Sequence, residues 1–140
     1  MFRLNCFLFL LVTMNPIAFA GSFVEPADAV QSYITGVSSG SGAHITAAYA
    51  DNAEIQYYDQ NGDYQYFSRD SFAEVVNSGN QWDARIEITN LLVTGQAANA
   101  TVEFTWGANG ENGYVDYLNL IKTDAGWTIT NKVAQYIQRD

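Results

Sequence analysis

The sequence predicts an α+β fold, with three helices gathered on one face of a curved antiparallel sheet. Three observations carry that reading. Apolar residues recur at helical spacing early in the chain, the period then changes to two, and four strand-like runs joined by short turns fill the second half.

The first helix starts at Pro26, a residue suited to the opening position of a helix, and Ala27, Val30, Ile34 and Val37 form its apolar stripe. The run SSGSG at Ser38 to Gly42 ends it and leads into a short second helix over Ala43–Tyr49. From Ala53 the segments AEIQYY and DYQYFS alternate around Asp59-Gln60-Asn61-Gly62, whose Asn-Gly pair signals a hairpin. A third helix opens at SRDSFAEVV, with Ser68 as its cap, Ser71 and Glu74 at capping-box spacing, and Phe72, Val75 and Val76 as its apolar face. The run NSGN closes it.

Four strands follow, Arg85–Val93, Ala97–Trp106, Tyr114–Lys122 and Trp127–Tyr136, separated by Gly95-Gln96, GANGENG and TDAG. In the first of them Ile86 and Ile88 alternate and then Leu91 and Val93 do, which predicts a bulge near Thr89-Asn90. No internal repeat or linker interrupts the chain, so residues 21–140 are expected to form a single domain.

Residues 1–20 stand apart. Arg3 is a basic head, Cys6 to Met14 an apolar run and Ala18-Phe19-Ala20 a small-x-small cleavage site, the pattern of a secretory signal peptide cut after Ala20. The apolar run is well short of the roughly 18 to 20 residues that a spanning helix needs. A periplasmic or secreted protein without a membrane span is therefore expected. Cleavage would remove 20 of the 140 residues, including the one cysteine, and so leave no disulfide, thiolate nucleophile or Cys–metal site.

Cleavage would also remove one of six basic residues and none of the fifteen acidic ones, moving the net charge from −9 to −10. Such a field repels phosphate backbones, which argues against a nucleic-acid partner. The mature chain keeps a single histidine, His44, at the start of the second helix, where capping or solvent contact suits it better than catalysis. No metal-ligand spacing, Gly-rich phosphate loop or Ser-His-Asp arrangement is present, so no metal or cofactor is expected. Asn99-Ala100-Thr101 matches a glycosylation sequon by chance composition.

The stretches AAYADNAEI, LLVTGQAANATVEF and YVDYLNLIKTDAGWTITNKV, with Trp127, Ile129, Asn131 and Lys132 in pattern, resemble the nuclear transport factor 2-like superfamily and its putative lumazine-binding branch. The resemblance spans nearly all of the mature chain. It departs at Tyr49-Ala50, where the family often has an aromatic-His pair. It implies a cone, the cystatin-like shape, with the helices on the concave side of the sheet. A pocket would lie between the first helix, the third helix and that face, and two copies would pair through the sheet.

On the strand Tyr114–Lys122 one face carries Tyr114, Asp116, Leu118 and Leu120, the other Val115, Tyr117, Asn119 and Ile121. The leucine face needs helix cover most and is taken as inward, which puts Asp116 inside. The same logic turns Trp127, Ile129, Asn131 and Val133 inward on the last strand. Phe104, Trp106, Tyr49 and Tyr57 would supply flat walls, making Tyr49, Tyr57, Phe104, Trp106, Asp116 and Asn131 the candidate ligand-binding set. Each has a plainer role open to it: aromatics as core, Asn131 as partner of backbone groups at a strand irregularity, Asp116 as a sheet anchor bonded to a tyrosine hydroxyl.

Three functions fit. The first is an exported binding module for a small apolar or flat aromatic molecule. The second is an isomerase, dehydratase or hydrolase with Asp116 as general base. The third is an accessory protein working through the outer face of the sheet, where Val115, Tyr117 and Ile121 would favour a homodimer.

Overall fold

Residues 22–79 and 83–140 are described by the structure, a computed structural model. The signal-peptide reading falls on residues 1–20, outside the described residues, as does Asn80 of the run expected to close the third helix. Helix α1 spans Pro26–Ser39, α2 Gly42–Ala48 and α3 Arg69–Asn77. The strands are β1 Tyr49–Tyr58, β2 Tyr64–Ser68, β3 Arg85–Thr94, β4 Ala97–Trp106, β5 Asn112–Thr123 and β6 Gly126–Gln138.

Pro26 opens α1, whose buried stripe is Ala29, Val30, Tyr33, Ile34 and Val37. This stripe is wider than the expected one and contains a tyrosine. Between α2 and α3 the backbones come close: the Gly42 N–H donates to Asn77 Oδ1 at 2.7 Å, and a Cβ on Gly42 would stand 2.5 Å from the Ala73 carbonyl oxygen. At the start of α3 the Ser68 hydroxyl accepts from the Ser71 N–H at 3.2 Å, so Ser68 is the cap. Ser71 lies inside the helix and does not form its own capping box with Glu74.

The sheet runs β2-β1-β6-β5-β4-β3. Four of the five pairings are antiparallel, and the junction of β1 with β6 is parallel. Those two strands are joined by no hairpin, so no tight turn dictates their relative direction. The expected bulge in β3 is present as a register shift between Ile88 and Asn90.

A second shift, not foreseen, occurs in β6. Leu120 pairs with Ile129 and Asn119 with Asn131, leaving Thr130 as an extra residue on β6. Because side chains alternate along a strand, one extra residue exchanges the faces of everything beyond it. Trp127 and Ile129 therefore point inward, as do Lys132 and Ala134, while Val133 is 49% exposed. The inward placement expected for Val133 is thus corrected. On β5 the leucine face is inward, with Asp116, Leu118 and Leu120 buried. The core lies between this concave face and the helices, joining Val30, Ile45, Phe72, Val102, Leu118 and Ile129. On the convex side Tyr117, Ile121 and Val133 are exposed, whereas Val115 is half-buried. Among the described residues no helix is long and apolar enough to cross a membrane.

Candidate functional site

Among the described residues two charged side chains are buried in the core, Asp116 on β5 and Lys132 on β6. Both face inward, Asp116 by the regular alternation of β5 and Lys132 by the bulge at Thr130. Tyr33 comes down on them from α1. Its hydroxyl donates to Asp116 Oδ2, and Lys132 Nζ donates to the Tyr33 hydroxyl oxygen at 3.0 Å. Lys132 Nζ also stands 3.6 Å from Asp116 Oδ2, an ion pair rather than a hydrogen bond.

Aromatic rings surround the ammonium. Nζ lies 4.7 Å from the Phe72 ring centre, 5.2 Å from that of Tyr33 and 5.6 Å from that of Tyr57, within cation–π range of each. Burial lowers the Lys132 pKa from the ordinary lysine value, with the Asp116 charge acting against the shift. The Tyr33 hydroxyl is pushed well above 10, first by burial and then by the Asp116 charge, which keeps it a neutral donor at physiological pH.

These groups line one wall of a cavity of about 130 Å³ under α3. Val37, Phe72, Val76, Phe104 and Ala134 supply apolar walls. Tyr57, Tyr114 and Val75, all partly exposed, line it as well and mark the side nearest solvent. Burial raises the Tyr114 pKa to about 12, aided by Tyr57 and Asp59. Tyr57 stacks on Phe67 with ring centres 6.1 Å apart and meets Tyr114 edge-on at 5.9 Å, so the rim is itself a packed aromatic cluster.

Of the six residues expected at a binding site, Tyr57, Phe104 and Asp116 line this cavity. Tyr49 sits in the core beside it, edge-on to Tyr33 at 5.5 Å, with a buried hydroxyl that has no hydrogen-bond partner. Trp106 lies farther along the strands, packed on Tyr114 and Tyr136. Asn131 belongs to neither place. The bulge puts it on the convex side, where its Oδ1 accepts from Asn119 Nδ2 at 2.9 Å and Asn119 Oδ1 accepts from Asn99 Nδ2 at 3.0 Å. Asn131 sits beside the strand irregularity, as expected of its plainer role, but its partner is a side chain and not a backbone group, in a polar ladder across β4, β5 and β6.

Sequence reasoning did not single out Tyr33 or Lys132 as site residues. A signal for each was present. Tyr33 lies three residues after Val30 and four before Val37, on the same helical face. Asn131 interrupts an inward apolar series just after a Thr, the same Thr-Asn pair that marks the bulge in β3. Among the described residues no group of three or more His, Cys, Asp or Glu side chains could hold a metal ion. His44 is exposed, its Nδ1 3.1 Å from the Ser41 hydroxyl.

Compared with known families, residues 23–135 match the model described as "Putative lumazine-binding". The chain belongs to this family. The "Putative lumazine-binding" match covers α1 to β5 in full and β6 as far as residue 135, just beyond Lys132. Several solved structures share the architecture. A nuclear transport factor 2-like protein of unknown function from Methylobacillus flagellatus is 26% identical, covering 83% of this chain and 98% of its own, with a TM-score of 0.68. One from Silicibacter pomeroyi is 20% identical over 79% of this chain and 91% of its own, with a TM-score of 0.67. A ketosteroid isomerase-like protein from Erwinia carotovora atroseptica is 20% identical over 89% of this chain and 99% of its own, with a TM-score of 0.59. The fold is therefore nuclear transport factor 2-like. No curated protein matches the chain.

Proposed function

We propose that this domain is an exported binding module for a small, flat, largely apolar molecule seated in the cavity under α3. One observation carries the reading: a concave space walled by aliphatic and aromatic side chains, on which the buried Asp116–Tyr33–Lys132 group converges. Apolar walls with a few fixed polar groups are the usual make-up of a small-molecule site, the walls supplying affinity and the polar groups orientation. The family description points the same way. A cavity of about 130 Å³ is close to the roughly 150 Å³ that accommodates benzene in an engineered apolar core, so one ring fills it and a larger ligand would project past Tyr57 and Tyr114.

A fragment screen by two-dimensional NMR on protein lacking residues 1–20 tests this. Binders are expected to shift signals of Phe72, Val76 and Tyr57. Hits confined to the convex face, or no hits, would overturn the reading. Following each binder for chemical change also tests the alternative in which Asp116 acts as a general base. The geometry favours binding over that alternative, because Asp116 Oδ2 is already engaged by the Tyr33 hydroxyl.

Two wider features belong to the proposal. Export with cleavage after Ala20 follows from the amino-terminal pattern, and the intact mass of protein recovered from a Gram-negative host tests it, a mass retaining residues 1–20 counting against it. Pairing of two copies through the convex face is supported by the exposed Tyr117, Ile121 and Val133.

A further inference from the structure

We propose that the cavity selects a neutral, single-ring ligand that presents a carbonyl oxygen, of the amide, lactam or ketone kind, to the ammonium of Lys132. The proposal rests on the cavity being the ligand site and names the chemistry that site would read.

The argument is one of donors and charges. A lysine ammonium has three N–H donors and no acceptor. One is given to the Tyr33 hydroxyl oxygen at 3.0 Å. Asp116 Oδ2, at 3.6 Å, attracts the ammonium but is too far to take a second hydrogen bond. The ring faces of Phe72 and Tyr57 attract it as a cation without satisfying a donor. Of the other lining side chains, Val37, Val76, Phe104 and Ala134 carry no acceptor, and the hydrogen bond of Lys132 Nζ goes to Tyr33 rather than to the hydroxyls of Tyr57 or Tyr114 at the rim. Lys132 therefore brings unspent donors to the cavity, and the complementary ligand atom is an acceptor.

Tyr33 does not compete for it, since its proton is committed to Asp116. The acceptor is also expected to be uncharged. Asp116, 2% exposed, already balances Lys132, so a ligand carboxylate would set two anions against one cation in a desolvated space. A cationic ligand would meet the ammonium directly. Size completes the class, because a space of about 130 Å³ holds a ring of benzene size with little to spare.

The test uses four probes of nearly equal shape: benzamide, benzoate, toluene and benzylamine. Dissociation constants are measured by NMR titration of the cavity signals in the wild type, Lys132→Met and Lys132→Gln. Benzamide is expected to bind at least about tenfold tighter than toluene, the value of one hydrogen bond to a charged donor, with benzoate and benzylamine weaker than benzamide. Lys132→Met should bring benzamide to the level of toluene while toluene itself changes less than about twofold. Lys132→Gln, which keeps a neutral donor, should restore part of the difference, and it carries the comparison if the methionine variant does not fold. Benzamide no tighter than toluene, benzoate the tightest of the four, or equal losses for benzamide and toluene in the variants would overturn the carbonyl assignment while leaving the cavity as a binding site. If none of the four shifts the cavity signals, both the assignment and the binding reading fall.

Discussion

Removing Asp116 and Lys132 one at a time and then together isolates what the buried pair contributes. At the observed 3.6 Å and an effective dielectric of about 20, the two charges attract by about 4–5 kcal/mol. Each has also given up its hydration, being almost fully buried. In Asp116→Asn the ammonium stays in the core without a counter-charge, and in Lys132→Met the carboxylate keeps only the Tyr33 hydroxyl. Each single change is expected to cost about 3–5 kcal/mol. The double variant removes both charges, keeps an amide able to accept from Tyr33 and gives Phe72 a thioether in place of an ammonium. It should lie within about 1 kcal/mol of the wild type, or above it. Urea denaturation at pH 7 measures all four proteins, the slopes being compared so that a changed denatured state is not mistaken for a changed stability. Costs that add to within about 0.5 kcal/mol, or an Asp116→Asn protein as stable as the wild type, would refute the coupled-pair account.

The convex stripe predicts that light scattering gives about twice the chain mass and that Tyr117→Glu, which puts a charge at its centre, halves it; a wild-type monomer at micromolar concentration would remove the basis for pairing. Gly113→Ala would set a Cβ 2.1 Å from the Phe104 carbonyl oxygen, so β4 and β5 must part, at a cost of about 1–3 kcal/mol by thermal or urea unfolding. Alkaline pH should destabilise the fold. Tyr33 and Tyr49 titrate higher folded than unfolded, so their contribution is complete below about 10 and is lost as pH rises through their folded values, at up to about 1.4 kcal/mol per pH unit for each. Lys132 has the opposite sign. Its folded value is lowered, so in the window just below 10.5 the unfolded chain binds more protons and stability rises with pH. Replacing Tyr33 with Phe should therefore flatten the alkaline fall seen in urea midpoints above pH 10.

Helices and strands were legible because each carries its own period, and the β4 boundaries, Ala97 and Trp106, match the observed ones. Choosing the face of β5 needed one further argument, that leucines require cover, and that sufficed for Asp116. The parallel meeting of β1 with β6 was not readable, because it depends on tertiary closure rather than on a local turn. Lys132 was hidden for a different reason. A lysine in an alternating strand reads as solvent-facing unless the phase is known, and the phase of β6 changes at one residue. Asn131 fell on the wrong face by the same step, and its real partners, Asn119 and through it Asn99, lie on strands distant in sequence. Tyr33 was passed over because an aromatic on an apolar helical stripe is ordinarily packing, and nothing local says that its hydroxyl meets a carboxylate 83 residues away.

Thr130 therefore has an effect out of proportion to its chemistry. As the unpaired residue of β6 it contributes a hydroxyl that donates to the Asn119 carbonyl oxygen at 3.1 Å, yet its being carried as a bulge and not in line decides which face Lys132 takes. Were Thr130 taken into the ladder in line, the residues from Asn131 onward would change faces, Lys132 and Ala134 turning to the solvent and Asn131, Val133 and Gln135 to the core; deleting it would instead leave a regular strand with Lys132 and Ala134 still inward. In the in-line arrangement Asp116 would lose its cation and the cavity the one basic group among its described lining residues, with no change in the identity of any residue that touches either. Within this architecture, a charged interior and an uncharged one are separated by whether the strand carries one residue as a bulge or in line, rather than by the identity of a side chain.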